Sequence, residues 1–416
     1  MTQTADVVVV GAGIAGISAA YHLTVRHGIT DVILVDPRPP LTLTSDKSTE
    51  CYRNWWPDRP MVGLMNRSID IYEELAAETE FGLSQSGYLF VTGEDERLDE
   101  MRAQAKVVRS LGARADVLER DALLAGYPFL TDASTGGLFV PRAGWFRAQE
   151  LGLWMLERAR ESGARLIRSS VTAVAPEEIA LDNGDVISNG VAVIAAGPMS
   201  AEVARLAGLD LPLFSELHLK VAFRDHLGVI PRDAPMTIWS DTQNIGWSDE
   251  ERAGLVELGR DDVTGEMPIF CHFRPEGGAD SPYVVALWEY HDLVTEPRWP
   301  LPEDPLYPEV VMRGLTTMIP GLAVYRDRLP ESFVDGGYYT KTRENRPLIG
   351  PSGVDRIHLL TGMSGFGVMV SAGAADLLAS HIAGKPLPDH SDAFLLSRYD
   401  DPDYAAALDS VESGQL

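Results

Sequence analysis

The amino-terminal stretch combines two apolar runs with a cluster of glycines. Four consecutive valines at 7–10 have the unbroken apolar character of a strand buried in a parallel sheet. Apolar residues then recur at helical spacing over 14–27, and a second apolar run at 31–35 ends in Asp36. This pattern predicts a strand, a helix and a second strand, the opening unit of a dinucleotide-binding sheet.

The rest of the chain alternates between two patterns. An apolar run typical of a buried strand returns at 190–197, whereas β-type runs bounded by turn residues dominate 210–335. We therefore expect an α/β fold in which a Rossmann-type domain is interleaved with an α+β domain built on an antiparallel sheet. The expected ranges are 1–85, 145–208 and 336–390 for the first domain, 86–144 and 209–335 for the second, and 391–416 for an acidic tail. The tail is expected either to dock as a short helix or to be mobile.

The glycines that follow the first strand have the spacing G-x-G-x-x-G. Gly11 permits a tight turn, Gly13 allows a pyrophosphate to approach the backbone, and Gly16 allows the helix to pack closely on the strand. The first helical turn offers N–H groups and a positive dipole to phosphates. Asp36 can accept hydrogen bonds from a ribose, and its charge would repel a 2′-phosphate. The motif therefore predicts a dinucleotide other than NADP, without distinguishing FAD from NAD.

Composition narrows the range of partners. The formal net charge of −26 argues against nucleic acid, which requires a cationic surface. No run of eighteen apolar residues occurs, so we expect no membrane span. The first strand begins by residue 6, which leaves no room for a signal peptide. Two distant cysteines, Cys51 and Cys271, favour a reducing, cytoplasmic location, and no histidine or cysteine spacing indicates a metal site.

Later segments complete a recognisable combination with the first motif. They lie at 163–174, 193–198, 337–350 and 361–367. Together with the interleaved domains, they resemble the D-amino-acid oxidase superfamily of FAD-dependent oxidoreductases, which includes glycine oxidase, sarcosine oxidase and the dimethylglycine dehydrogenase group. The resemblance covers nearly the whole chain. It implies a Rossmann-type FAD-binding domain, and it favours FAD over NAD.

The resemblance also implies a set of cofactor-binding positions. They are Gly11, Gly13, Ile14, Ala15, Gly16, Asp36, Pro37, Lys47, Ser48, Thr49, Val171, Ala196, Gly197, Gly362, Met363, Gly365, Phe366, Gly367, Val368 and Met369. A glycine turn at 365–367 that opens a helix would direct N–H groups at the flavin edge that gains negative charge on reduction. The family positions that carry flavin covalently fall near Gly337 and near Cys51, so we expect non-covalent FAD. A covalent link through Cys51 is the alternative, and a buried thiol is the favoured interpretation.

Substrate-binding residues depart from the family pattern. Arg53 matches the arginine that holds the substrate carboxylate in the sarcosine oxidase branch. The usual lysine after the glycine turn is replaced by Met369, and the usual basic residue inside it by Phe366. Tyr339 stands where glycine oxidase has a carboxylate-binding arginine. A free small amino acid is therefore less expected than usual for the fold, although Arg53 alone could hold one through two parallel hydrogen bonds.

Four further side chains are candidates for the site. Lys220 and Lys341 are notable because lysine is rare, and a fixed cation near the flavin can help an oxidase react with O₂; either could equally be a surface charge. His272 and Arg274 could contact an anionic or hydroxylated substrate, with a surface role as the alternative. We expect Arg53, Tyr339 and Lys220 to serve catalysis.

The sequence thus predicts an FAD-dependent oxidoreductase that oxidises a C–N bond of an amine or amino-acid derivative by hydride transfer to flavin N5. Two alternatives stay open: oxidation of a hydroxy acid or polyol C–O bond, and a flavin-binding assembly protein without turnover. The electron acceptor is O₂ or another compound. A substrate screen would separate amines from hydroxy acids, and a flavin that no small molecule reduces would indicate the assembly protein.

Overall fold

The computed structural model describes residues 2–291 and 294–408. Within these ranges the strands are β1 (Thr2–Val10), β2 (Val32–Val35), β3 (Cys51–Arg53), β4 (Tyr88–Thr92), β5 (Asp116–Glu119), β6 (Gly136–Val140), β7 (Ala143–Trp145), β8 (Arg165–Ile167), β9 (Val171–Val174), β10 (Glu178–Leu181), β11 (Val186–Ile194), β12 (Phe214–Arg224), β13 (Met236–Trp239), β14 (Cys271–Glu276), β15 (Tyr283–Leu287), β16 (Ser332–Lys341), β17 (Leu348–Pro351) and β18 (Ile357–Thr361). The helices are α1 (Ile14–Tyr21), α2 (Arg59–Leu75), α3 (Asp95–Ser110), α4 (Arg120–Gly126), α5 (Ala148–Glu161), α6 (Ser200–Leu206), α7 (Asp249–Glu257), α8 (Tyr307–Met318), α9 (Gly367–Ile382) and α10 (Pro402–Leu408).

The first sheet is built around the valine-rich strand β1. Its strand order is β17-β18-β11-β1-β2-β8, and β1 is parallel to β11 and β2 on either side. The hairpin of β9 and β10 is attached to the edge of β11. Helices α1, α2, α5 and α9 pack together on one face. The four valines at 7–10 are buried, which explains the continuous apolar run of β1.

The second sheet has the order β16-β12-β15-β14-β13-β4-β6-β5. Its neighbours are antiparallel except for β13 and β4, which run parallel. Helix α8 and the loops around it cover an apolar face of this sheet. The α/β fold class with an interleaved antiparallel sheet is therefore confirmed. The exact domain boundaries stay a prediction, apart from those at 145 and 336. The boundary between 144 and 145 is wrong because it divides β7.

The predicted boundary at residue 336 is wrong, because it falls inside β16. This strand pairs with β12 along its whole length, from Phe214 opposite Lys341 to Phe223 opposite Ser332. Residues 336–341 therefore belong to the second sheet. A Cβ atom at Gly336 would lie 2.5 Å from the carbonyl oxygen of His218, so the glycine allows the two strands to approach closely.

Helix α9 lies in the interior between the first sheet and α2. The stretch Ser364–Ile382 is long and apolar enough to cross a membrane by length and composition, but 67% of it is buried inside the fold. Core helices commonly have this composition, so its apolar character is explained by packing. Gly373 illustrates that packing, because a Cβ atom there would lie 2.6 Å from the carbonyl oxygen of Leu64 on α2.

The described part of the tail docks on the body of the protein. Arg398 forms an ion pair of 2.6 Å with Glu344, and both side chains are buried. The Arg398 guanidinium also donates to the carbonyl oxygens of Arg346 and Pro347. The prediction of a docked short helix therefore holds for residues 391–408, whereas 409–416 lie outside the described residues.

Candidate active site

An elongated cavity runs along the carboxyl ends of the first sheet, and we call it the dinucleotide cavity. It is lined by Gly11, Ala12, Gly13, Ile14, Ala15, Asp36, Arg38, Pro39, Leu41, Thr42, Leu43, Thr44, Ser45, Ser48, Ala195, Ala196, Gly197, Pro198, Tyr338, Tyr339, Thr340, Leu360, Thr361, Gly362, Met363, Ser364, Gly365, Gly367 and Val368. This position, at the strand ends of a doubly wound sheet, is where such folds bind ligands.

The glycine turn after β1 shapes one end of the dinucleotide cavity. Gly11 has φ +115°, and a Cβ atom there would lie 2.3 Å from the carbonyl oxygen of Ala195. A Cβ atom at Gly16 would lie 2.0 Å from the carbonyl oxygen of Gly11, so Gly16 serves helix–strand packing and does not line the cavity. Gly13 differs, because its nearest neighbour at 3.2 Å would be the movable Ser45 hydroxyl. Gly13 therefore leaves space for a ligand.

Asp36 stands at the end of β2, at the wall of the same cavity. One carboxylate oxygen accepts from the Ala12 N–H and the other from the Arg38 N–H, each at 2.8 Å. A carboxylate has about four lone-pair positions, so acceptor capacity remains for ribose hydroxyl groups. Asp36 is thus fixed in the orientation that the dinucleotide motif requires.

The other end of the cavity is formed by the turn that leads into α9. Gly362 has φ +70° and Ser364 has φ +49°, and the helix begins at Gly367. Because α9 begins at the cavity, its positive end is available to a group that carries or gains negative charge. The glycine cradle at one end and the helix start at the other fit an extended dinucleotide whose ring system lies at α9.

The structure places most predicted cofactor residues in this lining, but not all. Besides Gly16, the residues outside it are Pro37, Lys47, Thr49, Val171, Phe366 and Met369. Lys47 instead forms ion pairs with Asp46 and Asp335. Thr49, Phe366 and Met369 line a second cavity, described next. Contact of any of these residues with the cofactor stays a prediction.

A smaller cavity adjoins the first beneath the second sheet, and we call it the inner cavity. Its lining consists of Thr49, Cys51, Arg53, Tyr88, Met236, Ile238, Phe270, His272, Leu287, Glu289, Tyr339, Gly365, Phe366 and Met369, around a volume of about 70 Å³. Tyr339 and Gly365 line both cavities, so the two meet at these residues. The inner cavity has room for a small molecule next to the α9 end of the dinucleotide cavity.

Arg53 places a positive charge in the inner cavity. Its residue surface is 7% exposed, and its guanidinium lies 5.2 Å from the Trp56 ring centre and 5.4 Å from that of Tyr88. Burial lowers the pKa of Arg53 from its usual value. Among the residues that the structure describes, no carboxylate forms an ion pair with it, and its Nε atom is buried without a hydrogen-bond partner. The predicted carboxylate-binding position is therefore a buried cation that faces a cavity.

A row of alternating charges leads from the inner cavity into the second sheet. Glu289 Oε1 lies 3.2 Å from His218 Nδ1, His218 Nε2 lies 3.2 Å from Glu216, and Lys341 Nζ lies 2.8 Å from Glu216. The His218 ring stacks on Tyr339 with 4.0 Å between ring centres. Lys341 is therefore a member of a buried network and not a surface charge.

Sequence reasoning missed Glu216, His218 and Glu289. A usable signal was the alternation Glu216, His218, Lys220 in an otherwise apolar strand, which puts three polar side chains on one face of β12. Lys220 lies on the same face of β12 and donates to the carbonyl oxygen of Ser48 at 2.9 Å. Ser48 lines the dinucleotide cavity, so Lys220 supports the wall of that cavity. Burial lowers the pKa of Lys220. Its predicted catalytic role stays a prediction.

Of the remaining candidates, His272 and Cys51 line the inner cavity, whereas Arg274 does not. His272 lines the inner cavity, and burial lowers its pKa; its Nδ1 lies 2.7 Å from the Phe270 carbonyl oxygen, so Nδ1–H donates and Nε2 keeps a lone pair. Arg274 is 2% exposed and donates to the Thr49 carbonyl oxygen, so the surface role considered for it is wrong. Cys51 also lines the inner cavity, and burial raises the pKa of its thiol.

The first sheet holds a dinucleotide cavity shaped by glycines. This cavity meets a small charged cavity under the antiparallel sheet. Together these two features define a two-domain dinucleotide-dependent oxidoreductase. The chain belongs to the family described as DAO, FAD dependent oxidoreductase, whose model matches residues 6–381. The resemblance seen in the sequence is thereby confirmed, and FAD is the cofactor of this family. No cluster of three histidine, cysteine or acidic side chains suited to a metal occurs in the described ranges.

Individual relatives support the same family. The beta subunit of sarcosine oxidase from Rhizobium meliloti (strain 1021) is 25% identical over 413 residues, which are 95% of this chain and 88% of that protein. Mitochondrial dimethylglycine dehydrogenase from Rattus norvegicus is 27% identical over 262 residues, which are 61% of this chain but 30% of that protein. The match thus spans less than a third of the longer relative.

Solved structures share the fold over almost their full length. L-proline dehydrogenase from P. horikoshii superposes with a TM-score of 0.78 at 20% identity, covering 96% of this chain and 99% of that one. Glycine oxidase from Geobacillus kaustophilus gives 0.77 at 16% identity, covering 95% and 99%. The architecture described above is therefore that of known two-domain members of the fold.

Proposed function

We propose that this protein oxidises a C–N bond of a small amine that carries a carboxylate, with FAD as the oxidant. The observation that carries this proposal is Arg53, a buried guanidinium at a cavity wall without a carboxylate partner among residues 2–291 and 294–408. An unpaired buried charge is costly, and the cost is offset when a ligand supplies the counter-ion. A planar carboxylate matches the two parallel N–H donors that arginine presents.

The neighbouring residues would orient such a substrate. Aromatic rings of Trp56 and Tyr88 flank the guanidinium and restrict its position. Tyr339 lies where the two cavities meet, so a carboxylate at Arg53 would direct the adjacent carbon toward that junction. When bound, FAD supplies a ring that accepts the hydride from this carbon. Positioning of the carbon is then the main contribution of the protein.

The nitrogen must lose a proton for its lone pair to assist hydride loss. His272 is a suitable proton acceptor, because its Nδ1–H donates to the Phe270 carbonyl oxygen and Nε2 therefore keeps a lone pair. Burial keeps its pKa below the usual value, so His272 is neutral at pH 7. His272 lines the inner cavity together with Arg53, so a substrate carboxylate and the proton acceptor would lie in the same small space. A proton acceptor beside a carboxylate-binding residue argues against an assembly protein without turnover, and similarity to the beta subunit of sarcosine oxidase favours an amine over a hydroxy acid.

The proposal is tested by the visible flavin absorbance of the holoenzyme under anaerobic conditions. Sarcosine, N,N-dimethylglycine, glycine and proline are added in parallel with lactate and glycolate. We expect bleaching with at least one of the amines and none with the hydroxy acids. Bleaching by hydroxy acids alone, or by no compound of either class, would contradict the proposal.

A variant connects the reaction with Arg53. We expect Arg53→Met to weaken the apparent affinity for the reducing amine about 10- to 100-fold, as for other hydrogen bonds to charged groups. Thermal stability should stay the same or rise, because an unpaired buried cation is removed. Arg142→Met is the matched control, since Arg142 pairs with Asp70 and Glu73 at the surface. Equal effects of the two substitutions would remove Arg53 from the site.

A further inference from the structure

Glu289 places a negative charge in the same small cavity as the positive charge of Arg53. It lies two residues after the end of β15 and lines the inner cavity, and 23% of its side chain is accessible. Its charge acts on Arg53 and favours the charged form of the guanidinium. The inner cavity thus has two poles, and its remaining lining is mostly apolar.

The position of Glu289 is fixed from behind. His218, whose side chain is 4% exposed, lies between Glu289 and Glu216, and Lys341 neutralises Glu216 at 2.8 Å. Charges alternate along this row, which keeps Glu289 ionised inside the protein. Burial would raise the pKa of Glu289, but His218 outweighs that effect and lowers it. The carboxylate is therefore a permanent, oriented feature of the cavity wall.

We propose that Glu289 binds the cationic nitrogen of the substrate while Arg53 binds its carboxylate, so that the preferred ligand is a small zwitterion. This inference rests on the proposed function and adds a specificity residue to it. A zwitterion matches the opposite charges of Arg53 and Glu289, whereas an acid without an amine would gain nothing from Glu289 and a doubly anionic acid would be repelled by it. Glu289 would also hold the nitrogen in place, and with it the carbon that is oxidised.

The experiment compares two probes of nearly the same shape. Sarcosine carries an NH₂⁺ group, and methoxyacetate has an ether oxygen in its place. Their dissociation constants are measured by calorimetry on the anaerobic holoenzyme after chemical reduction of its flavin, so that neither probe reacts. We expect the unaltered protein to bind sarcosine at least about 10-fold more tightly than methoxyacetate.

Substitution of Glu289 should then remove the preference selectively. We expect Glu289→Gln to weaken sarcosine binding about 10- to 100-fold and to leave methoxyacetate binding unchanged or tighter. Glu309→Gln is the matched control, because Glu309 also pairs with a buried cation, Arg313, but on α8, outside the inner cavity. The control should change neither constant.

Each outcome has a distinct meaning. Equal binding of both probes by the unaltered protein overturns the inference, even if Glu289→Gln does not fold. Equal weakening of both probes in Glu289→Gln also overturns it, since that result indicates a structural role. If methoxyacetate and sarcosine both fail to bind to the unaltered protein, the carboxylate site at Arg53 is itself wrong, and the proposed function fails first.

Discussion

His218 is held between two carboxylates, so its charge should persist to a higher pH than that of an ordinary histidine. Burial by itself would lower its pKa, but Glu289 and Glu216 together outweigh burial and raise the pKa to about 9. A raised pKa stabilises the folded state fully below the unfolded-state value of about 6.5, and this contribution is lost as pH rises through 9. The expected contribution is roughly 3 kcal/mol.

The measurement is the difference in Tm between the unaltered protein and His218→Gln at several pH values. We expect the difference to be largest near pH 6.5 and to shrink toward pH 9.5. His390→Gln is the control, because burial lowers the pKa of His390 and its titration lies below this window. A difference for His218→Gln that is independent of pH would mean that its imidazole is not charged in the folded protein.

Single residues differ in how far the sequence reveals them. Arg53, the last residue of β3, could be predicted because the resemblance to the sarcosine oxidase branch implies a carboxylate-binding arginine at that position. Glu289 could not, because its approach to His218 depends on the pairing of β12 with β15 and on the turn that follows β15. Lys341 was ambiguous for the same reason, since its partner Glu216 lies on a strand distant in sequence.

At the scale of an element, the glycines of the β1–α1 segment serve different purposes: Gly16 allows close helix–strand packing, and Gly13 leaves space for the cofactor. Gly16→Ala would place a methyl group 2.0 Å from the Gly11 carbonyl oxygen, whereas Gly13→Ala meets only the Ser45 side chain at 3.2 Å. We expect Gly16→Ala to destabilise the protein without cofactor by about 1–3 kcal/mol. Gly13→Ala should keep that stability and lose FAD, because its methyl group occupies the space of the pyrophosphate.

Two readings on each variant check this prediction: the Tm without cofactor, and the ratio of flavin to protein absorbance after FAD is added. Gly254→Ala is a suitable control, since Gly254 lies in α7, outside the lining of both cavities, has no positive φ, and would have open space around a Cβ atom. Normal FAD content in Gly13→Ala would mean that the phosphates bind elsewhere.

At the scale of the whole molecule, the residues that line the two cavities indicate whether FAD is bound covalently. Cys51 lies in the inner cavity, and among the described residues no cysteine or histidine lines the dinucleotide cavity. We therefore expect non-covalent FAD. Acid precipitation should release the yellow colour into the supernatant, and colour that stays with the pellet would show a covalent bond.

The global arrangement was predictable where it depends on local patterns. The valine run, the glycine spacing and the apolar run of β11 indicate one sheet assembled from distant segments, and the structure has that sheet. The end of the second domain was misplaced at residue 336, because the pairing of β16 with β12 joins segments that are distant in sequence and leaves no local pattern. Only the close approach of β12 shows that Gly336 is required inside β16.

The central position of β1 has a consequence for the synthesis of the chain. Its parallel partner β11 begins at Val186, so roughly 180 further residues must be translated before the two strands can pair. At about 5–20 residues per second, β1 waits on the order of 10–40 s after it leaves the ribosome. During that interval its valines are an exposed, aggregation-prone edge, and nascent chains that stall before β11 should depend on chaperones for solubility.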